Sequence, residues 1–212
     1  MRKVETIMDG ACLFRSLATG LFYKMYGINL GGGTWYGEEK TVGDLCNNVL
    51  TRWIRMVVTH AMFYPDITMD TIFKDKSIRM VLEELHRFVQ HFEHVTTSFA
   101  TPREKRQFSR YFYRYVPIRG DSHTFTIDNQ PNKLISMSGR SNSESHLQYC
   151  QRMAKMATWG GAGECFVFSR IFHHAVSISQ GRRVIERYVP NKIHGMIHVR
   201  YCPKYEHYDA ML

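Results

Sequence analysis

Apolar side chains recur every three or four positions through most of the first two thirds of the chain, which predicts helices there. One stripe begins directly after Cys12 and carries leucines at 13, 17 and 21. The strongest helical pattern covers 41–61. Shorter helices are predicted from 77, over 101–115, over 143–158 and over 163–173, where caps, prolines or glycines mark their ends.

The period changes to two after residue 173. Four short runs, HAVSIS, RRVIERYV, GMIHVRY and EHYDAML, alternate or are rich in β-branched residues, and turns separate them. Such runs are typical of strands. Two weaker strand-like pieces lie at 124–127 and 134–137. Helices first and strands late predict an α+β fold with a mixed sheet flanked by helices. Without repeats or a clear linker, residues 1–212 are predicted to form a single domain.

Composition narrows the class of protein. The chain has 212 residues, 44% hydrophobic and 22% charged, as expected for a globular domain. No apolar run approaches the roughly 20 residues needed to span a bilayer, so a membrane partner is not expected. Five cysteines without a CxxC pair argue against a disulfide framework and against a cysteine-rich zinc site. The N-terminus lacks the apolar core of a signal peptide. A reducing, cytoplasmic location is therefore the expectation.

The net charge of +9 leaves nucleic acid open as an alternative partner. The densest basic cluster is REKRQFSRYFYR at 103–114, and it contains aromatics that could stack on bases. On a helix, however, these aromatics point in several directions, and a charge run on a helix is usually a solvated face. Nucleic-acid binding is therefore the less favoured interpretation.

Cys12 is a candidate nucleophile because it stands where the first helix begins, within the run DGACLFRSL. A helix N-terminus favours the thiolate and is expected to lower the thiol pKa from roughly 8.5 towards neutral. Backbone N–H groups of the turn Asp9-Gly10-Ala11 could hold an oxyanion, and Gly10 permits the positive φ of such a turn. An inert buried cysteine remains an alternative.

His207 is the candidate base, because its neighbour two residues on is Asp209. On a strand the two side chains share one face and lie about 6.6 Å apart along it. A carboxylate there can orient the imidazole and stabilise the imidazolium. Tyr208 is expected to point to the opposite face. The residues alone do not show that His207 lies near Cys12.

Three blocks in order along the chain resemble a known family. The run DGACLFRS at 9–16 is similar to the nucleophile motif of the ovarian tumour (OTU) family of cysteine deubiquitinases. WGGAGE at 159–164 resembles the family's central block, and HYD at 207–209 resembles its terminal strand. Together the blocks span nearly the whole chain. The resemblance implies a papain-like fold of the OTU type.

The resemblance also implies an isopeptidase that removes ubiquitin, polyubiquitin or a ubiquitin-like modifier from lysine. It makes Cys12 the nucleophile, His207 the general base and then acid, and Asp209 the orienting residue. Asp9 would support the oxyanion loop, to which Gly10 and Ala11 contribute backbone groups. No metal or cofactor is implied.

The central block would wall the channel that admits the modifier's Gly-Gly tail. Trp159, Gly160, Gly161 and Glu164 are then substrate-binding residues, together with Tyr208. For Trp159 and Glu164, core packing and a helix cap are equally open interpretations. Cys165 departs from the larger aliphatic residue common in the family, which changes packing rather than chemistry.

The segment at about 64–140 matches no family motif, and we expect it to be a helical elaboration that shapes modifier recognition. A catalytically silent, ubiquitin-binding OTU-like module is one alternative to the enzyme. Processing of a larger polyprotein by the same thiol chemistry is another. Divergence outside the motifs is consistent with a viral or other intracellular pathogen, in which case the location would be the host cytosol.

Overall fold

The computed structural model describes residues 1–63, 101–103, 106, 144–155 and 157–212. The helix predicted from 77, the strand-like pieces at 124–127 and 134–137, and nearly all of the predicted elaboration at 64–140 lie outside these residues, as does most of the helix predicted over 101–115. The described helices and strands all lie within 1–63 and 144–212.

Four helices form where the apolar stripes predict them. They are α1 (Cys12–Tyr26), α2 (Val42–Phe63), α3 (His146–Met153) and α4 (Ala162–Phe172). The third is shorter than predicted. Ser145 caps it, because its side chain accepts from the Gln148 N–H while the Gln148 side chain accepts from the Ser145 N–H. This capping box fixes the helix start at His146, three residues later than expected.

Five strands form one sheet. They are β1 (Lys3–Val4), β2 (His174–Gln180), β3 (Arg183–Tyr188), β4 (Gly195–Cys202) and β5 (His207–Met211), in the order β1-β5-β4-β2-β3. β2 and β4 are parallel, and the other pairs are antiparallel. This mixed sheet with its helices confirms the α+β class. β1 was not predicted, because two residues are too few to show an alternating pattern.

The core lies between the sheet and the helices. α1 packs on β4 and β5, and α2 packs against α1, α3 and α4. Gly20 allows the close approach of α1 to the sheet, because a Cβ there would collide with the Ile197 side chain of β4. Within the part of the chain that the structure describes, no helix is long and apolar enough to cross a membrane.

Trp53 anchors the centre of this core, and its loss should destabilise the protein. The side chain is 1% exposed, and its ring lies edge-on to Phe172 at 5.6 Å between centroids. We expect Trp53→Ala to lower the free energy of unfolding by about 3–5 kcal/mol, measured by urea denaturation. Trp35→Ala is the matched control, since Trp35 is 52% exposed. Equal midpoints for the two variants would contradict this account of the core.

Candidate active site

His207 and Asp209 lie side by side at the start of β5. The His207 Nε2 atom is 3.2 Å from Asp209 Oδ1, and the two residues are only 6% and 4% exposed. An ionised carboxylate has no hydrogen to donate, so the hydrogen in this contact is on Nε2, which donates a hydrogen bond to Asp209. The contact fixes both the ring orientation and the tautomer.

Thr6 belongs to the same cluster, although no sequence motif pointed to it. Its hydroxyl donates to the Tyr208 carbonyl at 2.5 Å, which turns an oxygen lone pair towards His207 Nε2 at 3.3 Å. Its backbone N–H donates to Asp209 Oδ1 at 3.3 Å. Thr6 reaches this place because β1 pairs with β5, with Val4 opposite Ala210. Only the pairing of the chain's two ends reveals it.

Lys3 supplies a cation on the outer side of Asp209. Its Nζ lies 3.2 Å from Asp209 Oδ2 and 2.9 Å from Glu5 Oε1. These hydrogen bonds, first to Glu5 and then to Asp209, raise the pKa of Lys3. The Asp209 carboxylate is therefore held between an imidazole on one oxygen and an ammonium on the other.

Asp9 organises the loop before α1. Its Oδ1 accepts from the Ala11 N–H at 3.0 Å, and its Oδ2 accepts two bonds from the guanidinium of Arg15, at 3.0 and 2.6 Å. Gly10 adopts a φ of 78°, and a Cβ there would collide with the backbone of Ala157. The Ala11 N–H is thus engaged within the loop. The oxyanion roles of Gly10 and Ala11 stay predictions.

Arg15 connects that loop to α2. The residue is fully buried, and beyond its pair with Asp9 it donates to the side-chain oxygens of Asn47 at 3.1 Å and Asn48 at 2.5 Å. A buried charge of this kind is tolerated only when it is paired and hydrogen-bonded. The sequence placed Arg15 inside the first helix but gave no signal of this network.

Arg55 links the same loop to the segment before Trp159. Its guanidinium donates to the carbonyls of Gly10, Met153 and Thr158, at 3.4, 2.9 and 2.7 Å. Burial lowers the pKa of Arg55 to about 10, so the side chain remains cationic at neutral pH. A single buried cation therefore ties together two backbone segments that flank Cys12.

The Cys12 thiol lies against β5. The Tyr208 N–H interacts with its sulfur, which places the thiol beside the residue that follows His207. The side chain is buried, and burial raises the thiol pKa above 9.0, with a further rise from the Asp9 charge. The expected lowering by the helix N-terminus is thus wrong for the resting site. The N–H groups of Tyr208, Leu13 and Cys12 do act in that direction, but desolvation outweighs them.

A pocket of 190 Å³ opens onto the thiol. Its lining residues are Cys12, Trp159, Gly160, Tyr201, Glu206 and Tyr208. Trp159 is 56% exposed, which favours a role at the pocket over core packing. Gly160 lets this wall sit close on α1, since a Cβ there would lie 2.9 Å from side-chain atoms of Leu13 and Phe14. Four of the predicted site residues thus line one cavity: Cys12, Trp159, Gly160 and Tyr208.

Glu164 and Gly161 lie beneath that wall and do not line the pocket. Glu164 is fully buried; its carboxylate accepts from the Tyr149 hydroxyl and from the Gly161 N–H. Gly161 is the N-cap of α4. The predicted contact of Glu164 with substrate is wrong for this structure, because no part of its side chain reaches the surface, and Glu164 instead supports the wall from beneath.

The described residues contain no group of three or more His, Cys, Asp or Glu side chains that could hold a metal ion.

Comparison with protein families decides the class. The model of the OTU-like cysteine protease family matches residues 7–208. The chain belongs to the OTU family. This confirms the resemblance of the three sequence blocks. No curated protein matches the chain significantly.

Solved OTU domains are also similar to this OTU protease. The OTU domain of OTUD1 is 13% identical, with a TM-score of 0.39, over 98% of this chain and 83% of that one. The Hazara virus OTU bound to ubiquitin is 12% identical, with a TM-score of 0.41, over 99% and 79%. The viral OTU domain protease from Dera Ghazi Khan virus is 11% identical, with a TM-score of 0.39, over 99% and 78%.

The raised pKa makes the reactivity of this OTU thiol dependent on His207. With the imidazole removed in His207→Gln, we expect alkylation of Cys12 by iodoacetamide to titrate above pH 9, because the buried thiol is protonated below its raised pKa. The parent should react faster than this variant below pH 9, since the imidazole accepts the proton. Rates are read for the Cys12 peptide by mass spectrometry. Half-maximal alkylation of the variant at or below pH 8 would contradict this assignment.

Thr6→Val removes the hydroxyl that contacts His207 while keeping the side-chain shape. We expect the alkylation rate of Cys12 at pH 7 to fall roughly tenfold, the equivalent of one lost hydrogen bond to a charged or catalytic group. Ser169→Ala is the control, because the Ser169 hydroxyl is also buried and donates to the Phe166 carbonyl at 2.8 Å within α4, outside the contacts described for the site. Similar rates in both variants would show that Thr6 does not orient the imidazole.

Proposed function

We propose that this OTU protease is a thiol isopeptidase that removes ubiquitin or a ubiquitin-like modifier from lysine side chains. The observation that carries the proposal is the position of Cys12. Its thiol lies at a pocket beside β5, whose first residue is a histidine oriented by a carboxylate at 3.2 Å. A thiol nucleophile, a histidine base and a carboxylate that orients the histidine are together the groups that a cysteine protease needs.

In the first step His207 accepts the proton of the Cys12 thiol. Because Nε2 faces Asp209 and Thr6, the exchange uses the other ring nitrogen, Nδ1. The sulfur then attacks the carbonyl of the modifier's C-terminal glycine. His207 returns the proton to the leaving lysine amine, which gives a thioester and a free amine. Water activated by His207 hydrolyses the thioester and regenerates the thiol.

An oxyanion forms when the sulfur attacks the carbonyl and again when water attacks the thioester. It needs backbone donors near the sulfur. The Ala11 N–H is engaged by Asp9. The N–H groups of Cys12 and Leu13 at the start of α1 face the sulfur, and we assign the role to the Cys12 N–H. Asp9 and Arg15 then act by holding the loop in place.

The shape of the pocket favours a substrate that ends in glycine. Trp159 and Gly160 form one wall beside the thiol, and Tyr208 forms another, in a volume of 190 Å³. A Gly-Gly tail has no side chains to accommodate there. The Hazara virus OTU has been solved bound to ubiquitin, so ubiquitin is the first modifier to test.

The five cysteines are free thiols, which suits a reducing compartment.

Cys12→Ala tests the nucleophile. We expect the variant to lose di-ubiquitin cleavage by at least about a thousandfold, since the covalent step needs the sulfur. Cys202→Ala is the control, because Cys202 is a free, half-buried cysteine at the end of β4. Cleavage by Cys12→Ala at the rate of the parent would refute the assignment.

A ubiquitin probe with a C-terminal electrophile separates an enzyme from a silent ubiquitin-binding module. The parent should form a covalent adduct on Cys12, and Cys12→Ala should form none. Binding of ubiquitin without any adduct would instead support the silent module.

A further inference from the structure

Three histidines and a lysine meet at the end of the sheet remote from Cys12. His173 and His174 lie where α4 ends and β2 begins, and His194 directly precedes β4. The His194 ring centre is 5.2 Å from that of His173 and 6.2 Å from that of His174. Lys24 lies in the last turn of α1, about 18 Å along the helix axis from Cys12. The cluster is therefore separate from the active site.

Gly195 leaves a gap between the imidazole of His174 and the side chain of Lys24. A Cβ at Gly195 would lie 3.2 Å from His174 Cδ2, 3.4 Å from His174 Nε2 and 3.9 Å from Lys24 Cδ. A side chain at this position would occupy the space, whereas glycine keeps it open. The imidazole and the lysine thus border one gap at the start of β4.

The His174 imidazole presents an unpaired nitrogen to this gap. Its Nδ1 donates to the Phe172 carbonyl at 2.6 Å, because a carbonyl oxygen only accepts. Its Nε2 has no hydrogen-bond partner among the residues that the structure describes, although the side chain is only 7% exposed. A polar atom left without a partner in a buried side chain indicates a place for water or a ligand.

The charges closest to His174 come from basic groups. Burial is the largest cause that lowers the pKa of His174, and the charges of His194, Lys24 and His173 act in the same direction, against the hydrogen bond to Phe172. A protonated His174 is therefore unfavourable in this cluster until an anion compensates its charge.

The opposite face of β4 adds further positive charge. His198 lies there, and burial together with the charges of Lys24, Arg187 and the amino terminus lowers its pKa. No carboxylate among the described residues forms an ion pair with Lys24 or His194. This end of the sheet consequently carries a positive potential without a neutralising acid, and such a potential attracts anions.

We propose that this gap binds a phosphate group, held by Lys24 and by the protonated imidazoles of His174 and His194. Protonation of Nε2 gives His174 a second donor beside the gap, while Nδ1 keeps its bond to Phe172. Hydrogen bonds from cationic donors to phosphate oxygens are short and strong. The site is independent of the proposed function, since it shares no residue with the active site.

Binding of the anion and uptake of protons are linked. The anion favours the charged imidazoles and so raises the lowered pKa of His174, and by reciprocity the protonated cluster binds the anion more tightly. Affinity must therefore increase as the pH falls from 8 to 6. Sulfate is the sharpest probe of this linkage, because its own charge does not change over that range.

The test titrates the full chain with sodium sulfate, sodium phosphate or a short phosphoserine peptide at constant ionic strength in chloride. Histidine ring signals are followed by NMR and assigned with His174→Gln and His194→Gln. We expect saturable shifts of both rings, with a Kd for sulfate about tenfold lower at pH 6 than at pH 8. Tighter binding of the peptide than of inorganic phosphate assigns the group to a phosphorylated chain, and equal binding assigns it to free phosphate.

Two variants locate the site. Gly195→Ala fills the gap and should abolish saturable binding. Lys24→Gln should raise the Kd for sulfate about fivefold, and it keeps the test valid if Gly195→Ala does not fold, since Lys24 is exposed. Lys40→Gln is the matched control, an exposed lysine directly before the start of α2, and should keep the parent's Kd.

Three results would overturn the site. Shifts that chloride reproduces at equal ionic strength would show general screening of charge. The parent's Kd in Lys24→Gln would place the anion elsewhere. Equal Kd values for sulfate at pH 6 and pH 8 would exclude the imidazoles as ligands.

Discussion

The site depends on the pairing of β5 along both of its edges. β1 pairs with one edge and β4 with the other, so the strand that carries His207 and Asp209 is fixed from two sides. The residues at the two ends of the chain close this arrangement, because Arg2 and Leu212 exchange backbone hydrogen bonds. A strand pinned in this way holds its side chains in one register. The imidazole and the carboxylate consequently stay in contact, and Thr6, in the loop that follows β1, hydrogen-bonds to both of them.

Buried arginines provide the second constraint. Arg15 joins the loop before α1 to α2, and Arg55 joins that loop to the segment before Trp159. The guanidinium suits this task, since its donors diverge in a plane and can satisfy several oxygens at once. Both side chains lie within 1% of full burial, so removing either would leave several oxygens without donors. The nucleophile is therefore held by charge as well as by packing.

Much of this could be predicted from the sequence, because the signals were local. The four strands after residue 173 alternate visibly, and Cys12 follows a turn and opens an apolar stripe. The parts that escaped are long-range contacts. Thr6 meets His207 across 201 positions, and Arg55 reaches carbonyls about 100 positions away. No periodicity records such pairings, since each depends on how separate elements pack.

The chemistry of Cys12 was mispredicted for a related reason. A helix N-terminus can be seen in a sequence, whereas the depth at which it is buried cannot. The sequence therefore showed the effect that favours the thiolate but not the larger desolvation that opposes it.

The burial of the Cys12 thiol also affects how the enzyme withstands oxidation. Peroxide attacks thiolates far faster than thiols, and overoxidation of a cysteine beyond the sulfenic acid is irreversible in most proteins. A Cys12 sulfur that is buried and protonated at rest presents little of the vulnerable form. The same burial that makes the nucleophile dependent on its histidine thus shields it from oxidative damage between turnovers.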